Sequence, residues 1–236
     1  LILTTGAETP AQIAKFLTER GYGKSQMTVL AAMGGKDEER FEGLAESWDH
    51  VVPAFNTLAV DCVAAEDAAL IPRVPGLADE LFQHDGTMTK QEIRAVTLAK
   101  LMPMRGALLW DVGCGCGSVA VEWMRAARFS HAIGIEPRAD RRLFAAQNAA
   151  ALGAPRLELV EGTVPAALDG LKAPDAIFIG GGLSRETFET CWQALRPLGR
   201  LVCNAVTLES ESLLLSLHKE YGGQLVKLNV NRAEPI

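Results

Sequence analysis

The chain of 236 residues contains no unbroken apolar stretch near the ~18 to 20 residues that a membrane-spanning helix needs, and it opens on no secretory leader pattern. Those absences predict a cytoplasmic protein with no membrane partner. Positive charge is in short supply: 23 Lys and Arg stand against 29 Asp and Glu, for a net charge of −6, and no basic tract occurs. A broad nucleic-acid footprint is therefore not expected. Cysteine is sparse and unpaired in spacing. The five are Cys62, Cys114, Cys116, Cys191 and Cys203, an odd and scattered set that excludes a disulfide framework. Cys114 and Cys116 lie in a glycine turn without the further ligands of a closed zinc site, so no metal is expected. Aliphatic content is ample for a core, and the length allows one or two domains.

The most informative stretch is Leu108-Leu109-Trp110-Asp111-Val112-Gly113-Cys114-Gly115-Cys116-Gly117. An apolar run ends in an acid, then glycines fall at every second position before an alanine-rich helical segment. That order predicts the first strand, loop and helix of a nucleotide-binding α/β unit, with the backbone brought close to a ligand. A dinucleotide fingerprint would read Gly-x-Gly-x-x-Gly and seat a pyrophosphate on the helix N-terminus. The Gly-x-Gly-x-Gly spacing after Asp111 instead resembles the first motif of class I S-adenosylmethionine (SAM)-dependent methyltransferases. SAM has no phosphate, and an acid with backbone amides can hold its zwitterionic end. A second strand, 131–136, ends in Glu136 about 20 residues past the glycines, where ribose hydroxyls need an acceptor.

Around this motif, helical and strand patterns alternate as βαβ units do. Strands are expected at 108–112, 157–160, 176–179 and 201–206, with helices at 119–128 and 138–152. Thr89-x-x-Glu92 reads as a capping box for a helix carrying Ala95, Leu98, Ala99 and Met102. The opening block carries strand patterns at its first residues, 27–32 and 57–64, and a helix at 11–20 capped by Thr9-Pro10. Residues 66–76, with Pro72 and Pro75, read as a linker between a small α/β fragment at 1–65 and a larger domain at 77–236. A first residue of Leu1 suggests a fragment. Alternation of Val226, Leu228 and Val230 predicts a strand at 224–231 that calls for an antiparallel partner, so the natural chain is expected to continue past Ile236 and the final strand to be missing.

Four segments together, His84 to Arg94, Asp111 to Gly117, Glu161-Gly162-Thr163-Val164-Pro165 and Ile179-Gly180-Gly181-Gly182, resemble the decarboxylating precorrin-6Y methyltransferases of cobalamin biosynthesis from about residue 77 onward. The preceding block resembles the C-terminal part of the tetrapyrrole-methylase domain fused in front of that domain. The resemblance implies a class I SAM-dependent methyltransferase fold, mostly parallel and Rossmann-like, acting on a precorrin. It implies methylation at carbon 15 with loss of an acetate carboxyl, the carbon 5 step belonging to the other domain, and a homo-oligomeric enzyme. Carried over residue by residue, it implies that Thr89 contacts SAM, a role compatible with capping a helix. It implies further that Gly113, Cys114, Gly115, Cys116 and Gly117 wrap the methionine portion, that Glu136 accepts from the ribose, and that Val164 lies along the adenine or serves as core. The family often has Asp at the position of Thr163.

The chemistry asks little of side chains, because the sulfonium methyl is activated and the macrocycle supplies the carbon nucleophile; alignment can supply much of the acceleration. No catalytic residue is assigned from sequence. A carboxylate-rimmed substrate predicts basic groups around the cleft, with His84, Lys90, Arg94 and Arg185 as candidates or as ordinary surface residues. An RNA or protein methyltransferase would be expected to carry an acceptor motif such as Asn/Asp-Pro-Pro-Tyr where Gly180-Gly181-Gly182-Leu183 stands. A non-catalytic nucleotide-binding module is the remaining alternative.

Overall fold

The computed structural model describes residues 1–68 and 70–233, and the chain divides into two units, Leu1–Ile71 and Pro72–Ile236. In the first unit, β1 (Ile2–Leu3), β2 (Gln26–Ala31), β3 (Glu39–Leu44) and β4 (Asn56–Asp61) form a sheet in the order β1-β4-β2-β3. Every pairing is antiparallel. Alternation along β2 buries Met27, Val29 and Ala31, and α1 (Thr9–Glu19) adds Ala14 to the same core. The N-cap of α1 is Glu8 and makes no side-chain cap bond, so the expected Thr9 cap is displaced by one residue. Thr9 instead accepts a hydrogen bond from the Thr5 amide. Strand β3 was not foreseen. It is an edge strand of polar character, and its charged residues keep a free edge from pairing with other chains.

The second unit alternates helix and strand: α2 (Gln91–Leu101), β5 (Leu108–Val112), α3 (Ser118–Ala126), β6 (His131–Ile135), α4 (Ala139–Ala151), β7 (Glu158–Val160), β8 (Ala176–Ile179), α5 (Arg185–Ala194), β9 (Arg200–Cys203) and α6 (Leu208–Tyr221). The strands lie in the order β7-β6-β5-β8-β9 and all pair in parallel. Central β5 is buried at every position because helices cover both faces. Leu108, Trp110 and Val112 pack with Ile133, Ile135, Ile177, Ile179 and Cys191. Leu109 faces the opposite layer, with Leu98, Leu101, Trp123 and Phe178. A continuous apolar run in sequence is the mark of such a strand.

Two local expectations differ from the structure. Lys90, not Thr89, is the N-cap of α2, and no side chain caps that helix; the Thr89 carbonyl is taken up by Arg94. Residues 224–231 form no strand. Val226, Leu228 and Val230 lie solvent-exposed, and side chains hold this segment: Arg232 donates to Glu92 at 2.7 and 2.9 Å, and Lys227 approaches Glu211 at 3.7 Å. Alternation makes a strand only where a ladder partner is present. Whether a further strand follows concerns residues 234–236 and beyond, which lie outside the described residues.

Candidate functional site

The order of the parallel sheet reverses at its middle: the chain winds outward from β5 to β6 and β7, then returns to β8 on the other side. In open α/β sheets ligands bind outside the C-terminal ends of the strands at such a reversal, beside the loops that leave β5 and β8. The loop after β5 carries Gly113, Gly115 and Gly117 at φ of 68°, 55° and 75°. A Cβ on Gly113 would stand 2.7 Å from the Gly181 Cα, so the two loops meet backbone against backbone. On Gly117 it would stand 3.0 Å from the Ala145 Cβ of α4. Over Gly115 the nearest atom would be the Thr87 carbonyl oxygen at 4.0 Å, so the middle of the loop is the least crowded part of it and the segment carrying Thr87 rests against it.

Two buried acids flank this loop and are used differently. Glu136, at the end of β6, accepts from the Gly115 amide at 3.0 Å through one oxygen and from the Arg138 amide at 3.1 Å through the other. It therefore braces the glycine loop. Asp111, the penultimate residue of β5, accepts from the Ala120 amide in the first turn of α3 at 3.0 Å. Its second oxygen is buried and has no hydrogen-bond partner among the described residues. Burial, opposed by the Ala120 hydrogen bond and reinforced by the charge of Glu136, pushes the Asp111 carboxyl up to about 7. An orphaned carboxylate oxygen in a dry place is costly unless a cation or donor meets it.

The cysteines of the loop contribute main chain. A Cβ on Gly134 would stand 2.8 Å from the Cys114 sulfur, so that side chain is packed down onto β6. Burial raises the Cys114 and Cys116 thiols above their ordinary range, Cys114 further, which keeps both neutral. Val164 sits on the loop after β7 and packs against the core layer that holds Leu168 and Ile179. Thr89 lies just before α2, at the end of the segment that passes over Gly115.

The four basic candidates do not share one role. Arg94 is fully buried, which removes it from the cleft: it pairs with Asp79 at 3.0 Å and Glu122 at 2.5 Å and donates to the carbonyls of Leu77 and Thr89. Glu122 in turn accepts from the amides of Gly76 and Leu77, so this network fastens the entry segment to α2 and α3. Arg185 is exposed and paired with Glu189 and Glu220. His84 accepts from the Gly86 amide, and Lys90 is exposed at the start of α2. The sequence reading missed Asn148, 2% exposed on α4, which bonds to both Gln83 and Cys116. Its only signal was an amide amid the alanines of 145–151.

A parallel sheet in this order, with an acid near the end of its central strand, a glycine loop after it and a second acid after the next strand, is the fold of the class I SAM-dependent methyltransferases. A model of the precorrin methyltransferase domain matches residues 80–236, and the chain belongs to that family. The whole chain is 44% identical to a protein of a Sinorhizobium species named precorrin-6Y C(5,15)-methyltransferase [decarboxylating], and it spans 58% of that protein's length. Over 63% of the chain it is 34% identical to a Saccharolobus solfataricus protein named probable cobalt-precorrin-6B C(15)-methyltransferase (decarboxylating), covering 78% of it. Among solved structures, the C-terminal domain of precorrin-6Y C5,15-methyltransferase from Rhodobacter capsulatus superposes with a TM-score of 0.66 at 50% identity, covering 70% of this chain and 90% of that one.

Proposed function

We propose that the unit from Pro72 onward is a SAM-dependent methyltransferase that methylates a precorrin at carbon 15 and removes an acetate carboxyl. The observation that carries the cofactor assignment is Asp111: a buried carboxylate with one unused oxygen beneath a glycine loop. The ammonium of an amino acid matches that oxygen. A pyrophosphate does not, because Asp111 already caps the first turn of α3 where a phosphate would dock. Bound SAM would supply a methyl group activated by its sulfonium. The residues of this chain would do the rest: Gly113 to Gly117 and Asp111 hold the methionyl end, Glu136 accepts from the ribose, and Thr89 and Val164 border the adenosyl part.

The assignment to carbon 15 is supported by the Saccharolobus relative, whose name carries that single position and which matches 63% of this chain over 78% of its own length. The carbon 5 step named in the longer relatives is left to sequence that this chain does not span. No helix among the described residues is long and apolar enough to cross a membrane. We place the enzyme in the cytoplasm as a homo-oligomer that acts on a tetrapyrrole and not on nucleic acid. Two measurements test the proposal. Calorimetry should show binding of S-adenosylhomocysteine and none of NAD. Mass spectrometry after incubation with a precorrin and SAM should show one methyl gained and one carbon dioxide lost, and a second methyl would refute the single-position assignment.

A further inference from the structure

The segment from Gln83 to Thr89 crosses the glycine loop, and α4 grips it at two points two helical turns apart. At the inner point Asn148 accepts from the Gln83 amide at 2.8 Å and donates to the Gln83 carbonyl at 2.9 Å. The same side-chain nitrogen donates to the Cys116 carbonyl at 2.9 Å. One buried amide thus fixes the crossing segment and the glycine loop to each other, with its hydrogen-bonding capacity nearly spent. At the outer point the Asp85 carboxylate accepts from Arg141 Nε at 2.9 Å, and the Arg138 guanidinium stands 3.6 Å away. Its other oxygen accepts from the Thr87 amide at 3.1 Å, tying the latch to the residue above Gly115. Hydrogen bonding from Arg141, then from Thr87, holds the Asp85 carboxyl below its usual range, so the latch stays ionised at neutral pH.

We propose that residues 83–89 form a latched roof over the cofactor, and that Asn148 and Asp85 are positioning residues that set its height and so the rate at which an adenosyl ligand leaves. The inference rests on the SAM reading above. Gly113 and Gly117 are closely covered, and a Cβ on Gly115 would meet the Thr87 carbonyl at 4.0 Å. That is ordinary contact, so the segment lies against the middle of the loop; a ligand reaching past Gly115 borders this segment, and the latches limit how far it can move aside as the ligand leaves. The two latches differ in their response to salt. Asp85 is partly open to solvent, where ions screen its pairing, and Asn148 is shielded.

The test uses the whole chain and S-adenosylhomocysteine, with affinity from calorimetry and release rate from stopped-flow displacement. Asp85→Asn should speed release about three- to fivefold at low salt with the melting temperature unmoved. Raising salt should speed release from the unsubstituted chain towards the variant's rate and leave the variant unaffected. Asn148→Asp, which turns a carboxylate towards two carbonyl oxygens, should weaken affinity at least about tenfold. Asp85→Asn alone keeps the inference falsifiable should that second variant fold poorly. Release at the same rate from the unsubstituted chain and Asp85→Asn, with no salt dependence in either, overturns the roof while leaving the cofactor assignment standing. If the unsubstituted chain binds no S-adenosylhomocysteine, the cofactor assignment falls first and the roof with it.

Discussion

The two units of this chain treat buried polarity in opposite ways. Among the described residues, the N-terminal unit buries two polar side chains, Ser25 and Asn56, both small and neutral. The C-terminal unit buries ten, and five of them are titratable: Asp79, Arg94, Asp111, Glu122 and Glu136. An antiparallel sheet with one wet face can send its charges outward, as β3 does. A parallel sheet covered on both faces cannot, so each buried charge in it needs a local partner. Four of the five have theirs. Asp111 has half of its own, which is why the contrast points to Asp111 as a group kept for a ligand.

The largest effect is expected where a fully partnered charge loses its partner. Arg94→Leu leaves Asp79 and Glu122 facing each other in the interior and should cost about 3 to 5 kcal/mol in urea unfolding of the C-terminal unit. Adding Glu122→Gln should recover part of that loss. A cost within about 0.5 kcal/mol, the range of ordinary surface changes, would show that the network contributes specificity without stability.

Asp111 should behave in the reverse sense. Its native pKa, about 7, lies above the ordinary carboxylate value, so between roughly pH 4 and 7 the folded chain keeps a proton that the unfolded chain has released. That term therefore lowers the ligand-free stability as pH rises through the window and is fully unfavourable above it. Asp111→Asn keeps an oxygen for the Ala120 amide and removes the charge, and at pH 8 it should raise stability by about 1 to 3 kcal/mol. The same substitution should weaken S-adenosylhomocysteine binding, and the loss of affinity expected of the unsubstituted chain below pH 7 should be absent from the variant. Thermal melts and calorimetry across pH 5 to 8, about the span of interest, read both; a variant that loses stability at pH 8 and keeps its affinity would remove Asp111 from the site. Glu136→Ala comes next, with an expected loss of about 1 to 3 kcal/mol in S-adenosylhomocysteine affinity by calorimetry. Unchanged affinity would confine Glu136 to bracing the Gly115 amide.

How much of this was readable in the sequence follows from the same contrast. Strand β5 was legible because burial on both faces leaves it apolar but for Asp111, and the acids near the ends of β5 and β6 were legible because glycines fix their neighbourhood. Strand β3 was not, since a polar edge strand carries almost no hydrophobic signal. Sequence offers Arg94 as a cleft group or an ordinary surface residue, and not as a buried one, because its partners lie 15 and 28 positions away and only the fold brings them together. The alternation at 224–231 is a local pattern without a ladder, and pattern alone cannot supply one. Asn148 escaped notice for the same reason as Arg94: its three bonds reach back 32 and 65 positions.

The smallest predicted effect tests the quieter side of the comparison. Asn56 opens β4, donating to the Pro53 carbonyl at 2.7 Å and accepting from Thr4 at 2.8 Å, so it fastens the turn before β4 to the chain that follows β1. Both partners border solvent, and water can replace what the amide supplied. Asn56→Ala should therefore cost about 1 kcal/mol. The loss should be read as faster amide exchange in β2 and β4, where Ala31 pairs with Asn56 at the end of the ladder. A cost approaching that of Arg94→Leu would mean that a neutral buried amide in the antiparallel unit matters as much as a buried ion network in the parallel one, and the distinction between the two units would then lie in their topology and not in the charge that each encloses.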